Sequence, residues 1–298
     1  MKHRVERTTA DIALAVAARR GADSVTLAGA GTEFLFYETT SSEGREGYRI
    51  PRSLEFNTVN NNAVPAELLQ LQEMALASWA TDNGIPSAAP KELVEQNGIP
   101  VLILEIVDDD GSELDSAALG SVVASIHRSP LPGFQLVAQE GRPWAVRLRH
   151  RLEARYTDLR RHHSLPILPP SASLQAELEA GAHEPCLIHL DLRRQNVRVD
   201  KGQPLSIFDW SNALAAPPEL EIARVEEYSA VKENGLDYAA FLNGYFKGGG
   251  SIDVGTASWP IFTLDAAVML AGVFDSISPN PELREHYLSR VRALVGEL

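Results

Sequence analysis

Apolar and polar positions alternate in "TEFLFYET", Thr32 to Thr39, and glycines stand just before it. That period of two, entered through small residues, predicts two strands joined by a tight turn. "EGREGYRIPRS" predicts a further turn and a third strand stopped by Pro51. The spacing then lengthens. Leu68, Leu69, Leu71, Met74, Ala75 and Trp79 recur at roughly helical intervals, which predicts a helix over 65–82, with Pro65 in its first turn and Gly84 as its stop. "IPVLILEIVDDDG" is a buried strand running into an acidic loop. Beyond that switch the pattern is mostly helical: "SELDSAALGSVVASIHRS" opens on a capping signal, "PWAVRLRHRLEARYTDLRRHHS" is a basic helix and "SASLQAELEAGAH" a third. The expected class is α+β, with a small sheet-rich first lobe at 1–106 and a larger helical lobe at 107–298.

The opening "MKHRVERTTADIALAVAARRG" reads as an amphipathic helix, because its apolar run is short and flanked by Asp11 and Arg19. No apolar run in the sequence approaches the ~18 residues of a spanning helix. These features lead us to expect a cytoplasmic protein without a membrane partner. The net charge of −13 lacks the basic footprint of nucleic-acid binding, and it suits a cationic small substrate as well as it suits mere solubility. The single cysteine, Cys186, excludes an internal disulfide and reads as a core residue.

The chemistry concentrates in "CLIHLDLRRQNVRVDKGQPLSIFDWSN", Cys186 to Asn212. Asp191 and Asn196 are too close in sequence to be separated by a helix and a strand. "NVRV" and "LSIF" are short strands with "DKGQ" as their turn, so a hairpin returns Asp209 to the neighbourhood of Asn196. Two carboxylates and an amide oxygen are hard donors that suit Mg²⁺. Phosphoryl transfer needs such a set: a carboxylate to orient the acceptor hydroxyl, metal ligands to neutralise phosphates, and a cation on the phosphate oxygens.

"HLDLRRQN" followed by "IFDW" resembles the motifs of the aminoglycoside phosphotransferase/choline kinase-like family, whose bilobal fold is similar to that of protein kinases. "APPELEIARV" and "FLNGYFKGGG" are similar to later family segments, with Glu221 where the family usually has Asp. The resemblance implies Asp191 as catalytic base, Asn196 and Asp209 as Mg²⁺ ligands, and His189 as a structural residue of the loop. It implies that Gly29, Gly31 and Thr32 line a turn over the nucleotide phosphates. Arg49 would replace the strand lysine, with Glu73 as its ion-pair partner. The carbonyl of Glu105 and the N–H of Val107 would read the purine of ATP or GTP. Glu219, Glu221, Glu226 and Glu227 are the acidic candidates for the acceptor, which would be an aminoglycoside-like antibiotic, another natural product or a primary metabolite.

Plainer readings stand beside these. Gly29 and Gly31 can make a simple hairpin turn. Arg52 rivals Arg49, though alternation puts the two on opposite faces. The acidic run 108–110 reads as a solvated loop, "RRHH" as a solvated helix face, and Trp210 as packing. An inactive nucleotide-binding member of the same fold is the alternative function. A protein kinase fits poorly, since little chain separates "IFDW" from the next helix. The chain is expected to work as a monomer or homodimer. Leu190 stands where the family usually has Gly. It is expected at negative φ, with its side chain packed away from the phosphates.

Overall fold

The computed structural model describes residues 2–57, 62–180 and 183–298. In chain order the first elements are α1 (Lys2–Arg19), β1 (Ser24–Ala30), β2 (Phe34–Ser41), β3 (Gly44–Pro51), β4 (Glu55–Asn57), β5 (Asn62–Pro65), α2 (Ala66–Asp82), β6 (Pro90–Gln96) and β7 (Ile99–Glu105). Then follow α3 (Ser116–Arg128), α4 (Trp144–His162), α5 (Ser171–Glu179), β8 (Cys186–Ile188), β9 (Val197–Asp200), β10 (Gln203–Ile207) and β11 (Leu214–Ala216). The chain ends with α6 (Pro218–Ser229), α7 (Tyr238–Lys247), α8 (Trp259–Gly272) and α9 (Pro281–Glu297). The chain forms two compact units, Met1–Glu113 with Asn196–Ser211, and Leu114–Gln195 with Asn212–Leu298. The first unit is thus discontinuous, which a single boundary at 106/107 does not express.

The first unit holds an antiparallel sheet in the order β1-β2-β3-β7-β6. Ile12, Ala13, Val16 and Ala17 of α1 form one helical stripe and bury against Leu35, Tyr37, Tyr48 and Ile50. The period of the strand then decides where Arg49 goes: it lies between Tyr48 and Ile50, so it must leave the sheet on the other face. The acidic loop after β7 is not simply solvated. Asp109 Oδ2 accepts from the N–H of Val199 and Asp110 Oδ2 from that of Lys201, at 3.3 and 2.8 Å. Together with the Ile207 N–H donating to the Pro86 carbonyl, these bonds tie the β9–β10 hairpin into the first unit.

The second unit is a helical core around α8, whose residues Ile261–Ala271 are all buried. The segment Trp259–Ile277 has the length and apolar composition of a membrane-crossing helix, which the sequence reading passed over; 67% of its most apolar window is buried inside the protein, as befits a core helix. Asp115 caps α3 by accepting from the N–H groups of Ala117 and Ala118. α3 and α7 approach closely at glycines: a Cβ at Gly244 would come within 1.8 Å of the Ala117 carbonyl oxygen. β8 pairs with β11, Ile188 opposite Leu214, which anchors the strand leading into "HLD". Cys186 is buried here, as expected, and burial pushes its thiol pKa up.

Candidate active site

In the first unit, the hairpin register sets Val197 opposite Ile207, and the Phe208 N–H donates to the Asn196 carbonyl at 3.2 Å. Asp209 therefore comes back beside Asn196, as the turn in the sequence implies. Asn196 is buried and Asp209 half-exposed. Asp209 holds φ at +67°, unusual for a residue with a Cβ. Glu73 accounts for this. From the middle of α2 it accepts the backbone N–H groups of Asp209 and Trp210, one per carboxylate oxygen, both at 2.8 Å. Burial pushes the Glu73 carboxyl above its usual range, against the pull of Arg49. Gln72 adds a bond to the Trp210 carbonyl, and Trp210 packs edge-on against Trp79.

Arg49 is buried, with its guanidinium stacked 3.4 Å from the Phe34 ring centroid. It donates to Gln70 Oε1, to Ser211 Oγ and to Asp209 Oδ1, the last at 3.0 Å. The expected Arg49–Glu73 ion pair is present, with a closest approach of 3.9 Å, too long for a hydrogen bond. Glu73 gives its hydrogen bonds to the backbone of Asp209 and Trp210, and Arg49 makes its shorter charge contact with Asp209. Arg52 points elsewhere and braces the glycine turn by donating to the Gly31 carbonyl.

Gly31 and Thr32 sit in the turn between β1 and β2, and Gly29 at a bulge just before it. The Gly31 N–H bonds the Phe34 carbonyl, and a Cβ on Gly31 would approach that oxygen to 3.2 Å. The tight turn alone thus accounts for a glycine there. Glu105 ends β7, and Val107 follows in chain without regular structure.

In the second unit, His189 is fully buried and its Nδ1 accepts the Asp191 N–H, the structural part expected of it. Asp191 Oδ1 accepts the Tyr228 hydroxyl at 2.9 Å and lies 3.1 Å from Arg193 Nε. Neither partner was foreseen. Burial, then the Asp191 charge, push the Tyr228 phenol up, so it stays a donor. The backbone of Leu190 overturns the expected negative φ. Its φ is +63°, the conformation that Gly would adopt without strain, while its side chain is buried in the helical core.

The acidic candidates for the acceptor also need correction. Glu221 is buried and accepts the backbone N–H groups of His189 and Leu190, at 3.0 and 2.6 Å. Its other oxygen meets His127 Nε2 at 3.0 Å. Burial would raise its pKa, but the bond to His127 outweighs this and holds it below the usual carboxylate range. Glu219 is buried and bonded to His183, and Glu227 is buried against Arg290. Of the four, only Glu226 keeps substantial exposure. Glu221, Arg224 and Tyr228 stand at i, i+3 and i+7 on α6, so one helix face carries both the loop anchor and the partner of Asp191. That spacing was the available signal for Tyr228.

Among the described residues no cluster of three or more His, Cys, Asp or Glu could hold a metal ion. Asn196 and Asp209 still offer the amide and carboxylate oxygens that Mg²⁺ prefers.

No curated protein sequence matches the chain significantly. Solved structures do. A macrolide 2'-phosphotransferase type I matches at 19% identity and a TM-score of 0.57, over 95% of this chain and 96% of its own. The macrolide 2'-phosphotransferase MphH from Brachybacterium faecium matches at 17% and 0.55, over 93% and 97%. A thermostable mutant of aminoglycoside phosphotransferase APH(4)-Ia, in ternary complex with AMP-PNP and hygromycin B, matches at 12% and 0.64, over 96% and 97%. At these identities the likeness is one of fold, an α+β fold shared with kinase-like phosphotransferases. The profile of the phosphotransferase enzyme family, APH, matches residues 25–254, more than three quarters of the sequence, and the chain belongs to that family.

Proposed function

We propose that the protein is a small-molecule kinase that moves the γ-phosphate of ATP or GTP to an acceptor hydroxyl. Asp191 orients the hydroxyl and takes its proton. Arg49 and the Gly29–Thr32 turn receive the nucleotide phosphates, and the segment from Glu105 to Val107 receives the purine. Asn196 and Asp209 would hold Mg²⁺, which supplies charge neutralisation at the phosphates. The observation that carries this reading is the meeting of Arg49, Glu73 and Asp209, brought together from a strand, a helix and a distant hairpin. The AMP-PNP complex of the APH(4)-Ia relative supports a nucleoside triphosphate as co-substrate.

Asp191→Asn is the test. Nucleotide affinity should stay within about twofold, while kcat for ADP release with an accepted hydroxyl compound falls by orders of magnitude. Near-normal turnover sinks the assignment of Asp191. One observation favours an inactive nucleotide-binding member as second reading: Arg49 and Ser211 both hold Asp209 Oδ1, a metal-ligand oxygen. Mg²⁺-dependent tightening of AMP-PNP binding, measured by calorimetry, would retire it.

A further inference from the structure

Two side chains of opposite freedom hold the Asp191 carboxylate. Tyr228 lies on α6 and is 6% exposed. The Arg224 guanidinium is 5.8 Å from its ring centroid, and its carbonyl accepts from Asn234 Nδ2. Its hydroxyl donates to Asp191 Oδ1. The same helix holds the loop backbone through Glu221, so α6 fixes the loop by main chain and by side chain. Arg193 is the opposite case. It belongs to the loop itself, and its side chain is 38% exposed against 11% for that of Asp191. Its Nη2 donates to Asp191 Oδ2 at 3.3 Å, and its Nε lies 3.1 Å from Oδ1. A half-exposed arginine keeps the rotamer freedom that a buried phenol has lost.

An acceptor hydroxyl needs a carboxylate oxygen within hydrogen-bond reach. The Tyr228 hydroxyl takes Oδ1, so the acceptor hydroxyl meets Oδ2, where Arg193 stands. Phosphoryl transfer also needs a cation on the oxygens of the group in motion. Arg49 is buried, stacked on Phe34 and bonded to Gln70, Ser211 and Asp209, so it cannot follow that group. We propose that Arg193 is a further catalytic residue, which covers Oδ2 of Asp191 in the free protein and shifts onto the phosphoryl group as it transfers, while Tyr228 is the positioning residue that keeps Asp191 in place. The proposal rests on the kinase reading. In the step, the hydroxyl proton passes to Asp191 Oδ2 and the acceptor oxygen bonds the γ-phosphorus. The bond from that phosphorus to the β,γ-bridging oxygen breaks, and its electron pair leaves with the nucleoside diphosphate. A planar guanidinium offers paired N–H donors to the phosphoryl oxygens that carry the charge meanwhile. Arg193 therefore acts on the transition state and adds little to nucleotide affinity.

The test is calorimetric titration of the full chain with Mg²⁺ and ADP, with and without aluminium fluoride, which mimics the phosphoryl group in transit, and separately with AMP-PNP. Aluminium fluoride should tighten ADP binding by the wild type. Arg193→Gln should lose about tenfold or more of that tightening, with AMP-PNP affinity within about twofold of the wild type. Arg193→Lys keeps the charge and should bind the aluminium fluoride complex at least about threefold tighter than Arg193→Gln. Tyr228→Phe should lower kcat about tenfold or more while AMP-PNP affinity and the acceptor KM stay within about twofold. The role of Arg193 is overturned if aluminium fluoride leaves wild-type ADP binding unchanged, if Arg193→Gln keeps the full tightening, or if the Lys and Gln variants bind alike. An unchanged kcat in Tyr228→Phe overturns the role of Tyr228. The wild-type arm decides even where a variant fails to fold. AMP-PNP binding without an aluminium fluoride effect removes the proposal and keeps the kinase reading; a wild type that binds neither AMP-PNP nor GMP-PNP removes the kinase reading itself.

Discussion

Leu190 combines two opposed effects in one residue. A left-handed backbone costs a non-glycine residue roughly 1–2 kcal/mol. Its side chain is buried in the helical core, and losing a buried leucine costs roughly 2–5 kcal/mol. Packing therefore wins. Leu190→Gly should lower stability by about 2 kcal/mol in urea denaturation, although glycine suits the backbone better. A more stable variant would mean that strain, not packing, dominates this loop. Part of the motif was legible in the sequence: the hairpin returns Asp209 beside Asn196, and His189 bonds the backbone of its own loop. The sign of φ at Leu190 was not, because it follows from Glu221 holding the N–H groups of both His189 and Leu190. The use of Glu73 was hidden for the same reason: its partners are backbone N–H groups, which no sequence pattern displays.

At the scale of elements, hydrophobic period located the strands and helices well. What it missed was the use made of their polar faces. α4 reads as a basic helix, and basic helices ordinarily face water. Here Arg147, Arg151 and Arg155, at i, i+4 and i+8, are buried. A sequence pattern reports that a face is charged without reporting which way it is turned. The glycines of "FLNGYFKGGG" raise a similar question, and for Gly244 packing answers it. The obstacle to a Cβ there is the Ala117 carbonyl, part of α3 and unable to swing aside. Gly244→Ala should force α3 and α7 apart and cost on the order of 3 kcal/mol, read as a fall in Tm of several degrees. An unchanged Tm would show that the two helices can separate freely.

For the whole molecule, the buried charges set the response to acid. Burial opposes the charge on Asp265, but Arg151, Arg155 and Arg224 pull its pKa down to about 2 from an ordinary 3.8. A depressed carboxylate contributes stability above its unfolded pKa and loses it as pH falls through the folded value. This group should therefore contribute about 2 kcal/mol above pH 4, lost between roughly pH 4 and 2. Asp265→Asn should flatten that limb in Tm measured against pH; an identical acid limb would exclude Asp265 as its source.

The discontinuous first unit has a consequence for the order in which the protein is made. Residues 1–113 leave synthesis first, but the unit they belong to is finished by Asn196–Ser211, about a hundred residues later. At roughly 5–20 residues per second, that is a wait of about 5–20 seconds. During it Glu73 lacks the two N–H groups it will hold, and Trp79 lacks Trp210. A 1–113 fragment should be digested far faster by a protease than the same region of the full chain; equal protection would refute this. Until Ser211 emerges, the nascent chain holds an open core, and the same hairpin that brings in Asp209 is the piece that closes it.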